Sequence, residues 1–298
     1  MNQTLSLLKY GLCLSLFSVA LLGAEKSQQR HYERAESGEL FLTTIWNHDF
    51  DSPIGPFQWG NVSAACSQGR RQSPVNIVTG RGESDDGRSS PITLFYPAKN
   101  LVVENNGHVI EVPYENGAYM MTGGRSYDLL QFHFHTRGEH FLNSASYDME
   151  VHFVHRDRNG SLAVIGYWIR ACHPLDGTCR SNPVIDTIFA NAPTTVGEND
   201  VHTSFTPLDF LPVRRRGAGA VLETYFNYDG SLTTPPCTEG VRWFVARQPI
   251  IVSTLSLARF RQIIGNFPNY LGFQNNYRLP QPLNGRRVRL FGAGDDDD

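Results

Sequence analysis

The chain has 298 residues, 40% of them hydrophobic, and its 26 basic and 29 acidic residues give a net charge of −3 at pH 7. This length and composition suffice for one large domain with a sizeable core. The chain carries no basic stripe, which argues against nucleic acid as a partner. The final residues, 292–298, end in four aspartates and are expected to form a disordered acidic tail.

The first 24 residues have the pattern of a secretory signal peptide. Lys9 precedes the apolar run GLCLSLFSVALLGA, which is too short to span a bilayer. We expect cleavage near Ala24 and a polar lead-in over residues 25–44, and a membrane anchor at the same place is the alternative. Elsewhere the chain has no apolar run of spanning length. The mature protein is therefore expected to be secreted, or to lie in the lumen of a secretory compartment or organelle.

From Ile45 to Phe291 the sequence predicts one mainly β domain built around a large sheet. Two helices are expected, over residues 182–192 and residues 253–265, the second ending before Gly265. A polar surface loop is expected over residues 81–90. Short apolar or alternating segments predict strands over residues 92–96, 100–105, 108–114, 127–135, 147–155, 162–170 and 241–250.

Four cysteines lie outside the predicted signal: Cys66, Cys172, Cys179 and Cys237. Four cysteines in an oxidising compartment allow three pairings, and the sequence alone does not choose among them. The short spacing between Cys172 and Cys179 favours a local loop closure. Export would also make the triplets NVS and NGS candidate glycosylation sites, at Asn61 and Asn159.

The segment LLQFHFHTRGEH, residues 129–140, contains the first chemical signal. Side chains alternate along a strand, so His133 and His135 share one face while Phe132 and Phe134 share the other. The two imidazoles are then about 6.6 Å apart along the strand, at about 3.3 Å per residue. They are therefore able to converge on one metal ion.

A third imidazole belongs to the next predicted strand, where Glu150 and His152 share a face. If the two strands pair antiparallel, His152 reaches His133 and His135. Three neutral imidazoles with one open position form a catalytic zinc site, whereas four protein ligands form a structural one. Glu150 can accept the free N–H of the His152 ring. We interpret four further histidines as satisfied core or surface residues: His140, His155, His173 and His202.

An alternative interpretation rests on HFHTRGE, which fits the H-x-H-x-x-x-E pattern of cupins, small β-barrels that bind iron or manganese. Glu139 would then be a metal ligand. However, Tyr127 stands where that pattern expects glycine, and the later P-x-G-x-x-H is missing. The pattern therefore disfavours a cupin.

A set of motifs over residues 46–291 resembles the α-class carbonic anhydrases. The resemblance implies a single domain around a central, mostly antiparallel twisted β-sheet with a few peripheral helices. It further implies reversible hydration of carbon dioxide to bicarbonate and a proton through zinc-bound hydroxide. The matching segments are RRQSPVNI, NNGH, QFHFH with GEH, MEVHFVH, LAVIGYW, GSLTTPPCTEGVRWFV and NYRLPQPLNGR.

The resemblance assigns roles by position. His133, His135 and His152 match the zinc ligands, while Thr233 and Glu139 match the pair that orients the hydroxide. Other matches are Gln131 and Glu150 as partners of the ligand rings, His108 as the proton shuttle, and Asn106 beside it. The apolar carbon dioxide pocket is matched by Val154, Val164, Leu232, Thr234, Val241 and Trp243.

The resemblance also implies a disulfide between Cys66 and Cys237, which is common in secreted members. Three positions depart from the family pattern: Phe50 for a tyrosine, Thr136 for a tryptophan, and Glu111 for a neutral polar residue. A non-catalytic binding or storage protein of the same family is the alternative function. Such relatives usually lack a ligand, and this chain has all three. The sequence does not predict an oligomeric state.

Overall fold

The computed structural model describes residues 45–80, 91–115, 117–173, 175, 177, 179 and 182–292. The predicted signal peptide, the lead-in, the polar loop at 81–90 and the tail from residue 293 lie outside the described residues. Within the described part, no helix combines the length and the apolarity needed to cross a membrane.

The strands of the described residues build one large sheet and one small one. In chain order they are β1 (Asn76–Ile77), β2 (Ile92–Phe95), β3 (Lys99–Asn105), β4 (Ile110–Pro113), β5 (Tyr119–Thr122), β6 (Arg125–His135), β7 (Phe141–Leu142), β8 (Ala145–Ser146), β9 (Met149–Arg156), β10 (Leu162–Cys172), β11 (Gly197–Phe205), β12 (Arg214–Arg216), β13 (Gly219–Leu222), β14 (Tyr225–Ser231), β15 (Glu239–Ser253) and β16 (Arg289–Phe291). All seven predicted segments contain a strand.

Thirteen of these strands form the large sheet, in the order β12-β13-β2-β5-β6-β9-β10-β15-β14-β16, with β4 on β6, β3 on β4 and β11 on β3. Its strand pairs are antiparallel except for β10 and β15, which run parallel. The small sheet contains β1, β7 and β8. The prediction of a mainly β fold around a mostly antiparallel sheet is confirmed.

Three α-helices accompany the strands in the described part: α1 (Ala64–Gln68), α2 (Pro183–Asn191) and α3 (Thr254–Gly265). Helices α2 and α3 were predicted, and α3 includes Gly265 rather than ending before it. Asn182 caps α2 by accepting from the first turn, and Ser253 caps α3 by accepting from the N–H of Ser256. Helix α1 and two 3-10 helices, Pro56–Asn61 and Pro207–Asp209, were not predicted.

The two faces of the central strands pack against different surroundings. Phe134 of β6 contacts Phe189 of α2 and Phe260 of α3, with ring centroids 4.9 and 6.2 Å apart. The opposite face holds a separate apolar cluster around Trp168 and Trp243. Burial of one such large side chain contributes about 1.5–3 kcal/mol. The phenylalanines of β6 therefore hold its histidines on the face away from the helices.

Two disulfides join the four cysteines outside the predicted signal, Cys66 with Cys237 and Cys172 with Cys179. The first closes a separation of 171 residues and the second a separation of 7. Both pairings agree with the predictions.

Candidate metal centre

Strands β6 and β9 bring three imidazoles together. They pair antiparallel, as the interpretation of the histidines required, with His133 opposite His152 and His135 opposite Glu150. One ring nitrogen from each of the three histidines lies within 4.8 Å of the other two. The sheet register alone therefore forms a compact cluster of nitrogen donors.

Each of these rings donates one N–H to a fixed acceptor. Nδ1 of His133 donates to Oε1 of Gln131 at 2.8 Å, and Nδ1 of His135 donates to the carbonyl oxygen of Asn276 at 2.7 Å. Nε2 of His152 donates to Oε1 of Glu150 at 2.9 Å. Such bonds fix the tautomer, so the second nitrogen of each ring presents a lone pair.

The lone pairs converge on a site that suits a zinc ion. Nε2 of His135 and Oε2 of Glu139 are buried and have no hydrogen-bond partner among the described residues, although they lie 3.7 Å apart. Nδ1 of His152 is 3.9 Å from the same carboxylate oxygen. Burial, with a smaller effect from His152, lowers the pKa of His135 to about 3, which keeps the ring neutral. Three neutral imidazoles and an open position are the donor set of catalytic zinc.

Glu139 lies beside this cluster and is bonded through its other oxygen. Oε1 accepts from the backbone N–H of Arg278 at 2.8 Å. Burial and the neighbouring Glu150 raise the pKa of Glu139, while the N–H of Arg278 and the hydroxyl of Thr233 lower it in part. Thr233 is itself 5% exposed. The structure thus places Thr233 and Glu139 side by side, next to the three histidines.

Glu150 has more partners than the sequence indicated. It accepts from the backbone N–H groups of Glu139 and His140, both at 2.8 Å, and from Nδ1 of His140 at 2.6 Å. Nε2 of His140 bonds to the hydroxyl of Tyr228 at 2.7 Å. Burial raises the pKa of Glu150, but its bonds to His140 and His152 outweigh that effect and the pKa is lowered. His140 was expected to be a satisfied residue; its role in holding Glu150 was missed.

An apolar surface adjoins the cluster. The Trp243 ring meets the His152 ring edge-on, with centroids 4.8 Å apart. Thr234 is half-buried in the loop between β14 and β15. The predicted pocket residues that share one cluster with this tryptophan are Val154, Val164, Leu232 and Val241.

His108 lies beyond β3 at the turn before β4, and its neighbours fix its position. Its ring stacks on Trp46, with centroids 3.9 Å apart and an angle of 9° between the planes. Oδ1 of Asn106 accepts from the N–H of His108, and Nδ2 of Asn276 donates to its carbonyl oxygen. Because Asn276 also accepts from His135, one residue links the predicted shuttle to a metal-ligand candidate.

The three departures from the family pattern have different surroundings. Glu111 is 3% exposed, pairs with His133 across β4 and β6, and accepts from Nδ2 of Asn106 at 3.3 Å. The N–H of Thr136 donates to Oδ1 of Asn276. The Phe50 ring packs on three other rings, those of Phe57, Phe273 and Tyr277.

A comparison with known protein families matches nearly the whole domain that contains the three histidines. A family model for eukaryotic-type carbonic anhydrases matches residues 54–291. A carbonic anhydrase from Nostoc sp. is 34% identical over 252 residues, covering 81% of this chain and 85% of the relative. This match decides against the cupin interpretation.

Solved structures show the same likeness. An α-carbonic anhydrase from Thermovibrio ammonificans in complex with the inhibitor sulfanilamide is 33% identical, with a TM-score of 0.69 over 83% of this chain and 100% of that one. Dioscorin complexed with ascorbate is 26% identical, with a TM-score of 0.70 over 85% of this chain and 100% of that one.

Proposed function

This chain belongs to the eukaryotic-type carbonic anhydrase family, and we propose that it hydrates carbon dioxide with a zinc ion held by His133, His135 and His152. One observation carries the proposal: one ring nitrogen from each of the three histidines lies within 4.8 Å of the other two, while each ring donates an N–H to a fixed acceptor. When bound, zinc supplies a Lewis acid that lowers the pKa of water, the behaviour for which carbonic anhydrases are themselves the general example.

Thr233 and Glu139 orient the attacking oxygen. Glu139 is held by the N–H of Arg278, and the Thr233 hydroxyl lies beside it. A threonine hydroxyl that donates to a carboxylate can only accept from a second group. It therefore accepts the O–H of the nucleophile and directs the oxygen lone pair at the substrate. Anions that have no hydrogen to donate are disfavoured at the same position.

The remaining residues hold the substrate and remove the proton. Carbon dioxide is apolar, and the surface formed by Val164, Val241 and Trp243 next to His152 offers it an apolar place to bind. Hydration releases a proton, and His108 accepts it, because imidazole is the side chain that most often transfers protons in enzymes.

The alternative is a binding or storage protein with the same fold. Loss of a ligand would favour it, whereas the three imidazoles here are complete and each is held by an acceptor. The enzyme is therefore the better supported function.

The purified protein is expected to contain one zinc ion per chain and to hydrate carbon dioxide at a rate that an aromatic sulfonamide abolishes. Stopped-flow measurement with a pH indicator gives the rate, and elemental analysis gives the metal content. The His202→Ala variant is the control, because this exposed side chain lies away from the centre. Bound zinc with no hydration would contradict the proposal and favour the binding protein.

We also propose that the chain is exported. The support is its leader pattern, the two disulfides, and the exposed positions of Asn61 and Asn159. A eukaryotic host that expresses the full chain is expected to release a protein that starts near residue 25 and loses mass on treatment with an N-glycosidase. Recovery of the uncleaved chain in the cytosol would contradict the export route.

A further inference from the structure

Glu111 is a buried carboxylate beside the metal centre, and the proposed reaction gives it no role. It lies on β4 directly opposite His133 of β6 and is 3% exposed. Residues directly opposite on antiparallel strands point to the same face of the sheet, with Cβ atoms about 4.5–5.5 Å apart. Glu111 therefore lies on the face that carries the three imidazoles, next to one of them.

Asn106 fixes one oxygen of this carboxylate. Oδ1 of Asn106 accepts from the backbone N–H groups of His108 and Val109, both at 3.0 Å. The amide nitrogen is therefore the end that faces Glu111, and it donates to Oε2 at 3.3 Å. Because two backbone groups hold the amide, Oε2 of Glu111 is tied to the turn that precedes β4.

A row of cross-strand partners leads away from His133 and repeats the same side chain. Glu111 pairs with Glu104 of β3, and Glu104 pairs with Glu198 of β11. Neighbouring strands are about 4.7–4.9 Å apart, so each step moves the carboxylate one strand further from the metal centre. Within this row Glu111 is closest to the imidazoles, and the exposed Glu198 lies three strands away.

A fixed negative charge beside the centre distinguishes neutral ligands from anions. An ordinary glutamate is ionised at neutral pH, and a divalent ion nearby favours the ionised form. Carbon dioxide is neutral, so the charge changes its approach little, whereas every anion is repelled. Salt screens such a repulsion much less when the charge is buried. The buried position of Glu111 therefore makes its charge effective at the metal centre.

We infer that Glu111 determines the selectivity of the metal centre against anions: its carboxylate weakens the binding of bicarbonate and of inhibitory anions and leaves that of carbon dioxide unchanged. The inference rests on the proposed function, because it takes the three imidazoles as metal ligands. Thr233 acts on a different property, since its hydroxyl disfavours only anions that have no hydrogen to donate. Glu111 acts on all anions, through charge.

Glu111→Gln removes the charge and keeps both the shape and an acceptor for Asn106. We expect thiocyanate to bind the cobalt-substituted variant about three- to tenfold more tightly than wild type, the size expected for two charges within about 10 Å of each other. The titration is done at about pH 6, below the pKa of metal-bound water, so that hydroxide does not compete. The neutral ligand pyrazole should bind both proteins equally. The absorption of the cobalt ion reports each affinity without a measurement of activity.

Two further variants separate charge from shape. Glu111→Asp keeps the charge and should restore weak thiocyanate binding. Glu198→Gln is the matched control, because it removes the same charge from the exposed end of the row. Its thiocyanate affinity should stay within about twofold of wild type, since exposed charges more than a Debye length of about 8 Å away are largely screened. Equal thiocyanate affinities in wild type and Glu111→Gln would overturn the inference, as would an equal gain in affinity for pyrazole.

Hydration kinetics keep the inference and the proposed function apart. At about pH 9, where zinc-bound water is already deprotonated, kcat/KM of Glu111→Gln for carbon dioxide should stay within about twofold of wild type. A loss of more than about tenfold there would make Glu111 part of the reaction itself and overturn the inference. A metal-loaded wild type that shows the difference in anion affinity but fails to hydrate carbon dioxide would instead overturn the proposed function alone.

Discussion

Replacement of His135 by alanine is expected to lower carbon dioxide hydration by roughly 1,000-fold or more and to abolish zinc binding at equimolar metal. His135 is fully buried, its Nδ1 donates to Asn276, and its Nε2 is left with a lone pair that no described residue engages. The two imidazoles that remain, those of His133 and His152, cannot complete a three-ligand site. Stopped-flow hydration and elemental analysis of the dialysed variant measure both effects.

His155→Ala is the matched control for this variant. Both histidines are 0% exposed, and burial is the main cause that lowers the pKa of each to about 3. His155 lies three residues after His152 on the opposite face of β9, where it bonds to Tyr96. His155→Ala should therefore lose stability but keep zinc and activity when folded. Full zinc content in His135→Ala would contradict the ligand assignment, and equal metal loss in both variants would attribute the effect to the fold.

The metal-ligand candidates could be predicted because local periodicity determines them. Phe132 and Phe134 must enter the core, and the pleat then places His133 and His135 on the other face. The antiparallel pairing of β6 and β9 is expected from their closeness in the chain, and it brings His152 opposite His133. The three histidines could therefore be identified from the sequence, because they lie close together in the chain and follow the alternation of a strand.

The groups that hold the ligands could not be predicted in the same way. The acceptor for His135 is the backbone carbonyl of Asn276, 141 residues away, and any residue type supplies such an oxygen. Tyr228 bonds to His140 across 88 residues, and no periodic pattern marks either side chain. Tyr270 likewise bonds to Nδ1 of the buried His48, 222 residues earlier in the chain, and no pattern in the sequence links the two.

Two of the strands that were not predicted, β11 and β12, escaped prediction for a different physical reason. Most residues of β11 are exposed, and β12 consists of three exposed arginines. Neither shows the alternation of a half-buried strand, because each pairs at a border of the large sheet, β11 with β3 and β12 with β13. Backbone hydrogen bonds to the neighbouring strand stabilise β11 and β12, so their side chains need not alternate between apolar and polar.

Removal of the Cys66–Cys237 disulfide by the double substitution Cys66→Ser and Cys237→Ser is expected to lower both stability and activity. The chain-entropy model gives an upper value of about 5 kcal/mol for the separation of 171 residues that this bond closes. At about 2–4 °C per kcal/mol for a domain of this size, Tm should fall by about 10–20 °C. Calorimetry of the zinc-loaded variant and of wild type under the same conditions measures the shift.

The activity loss has a separate origin in the loop that carries Thr233. Cys237 closes this loop by donating its N–H to the carbonyl oxygen of Thr234 at 2.8 Å. On the other side of the disulfide, Nη2 of Arg278 donates to the carbonyl oxygen of Cys66, and the Arg278 N–H donates to Glu139. The disulfide therefore fixes the position of Thr233 relative to Glu139. We expect hydration by the folded variant to fall about tenfold, since misplaced catalytic groups lose rate steeply.

The second disulfide of the same chain is the control. Removal of Cys172–Cys179, which closes a separation of 7 residues, should cost about 2.5 kcal/mol on the same model and leave hydration unchanged. Equal Tm shifts for the two double variants would contradict the loop-length argument. Full activity of the folded Cys66→Ser, Cys237→Ser variant would show that its backbone hydrogen bonds alone position Thr233, and that the disulfide acts on stability only.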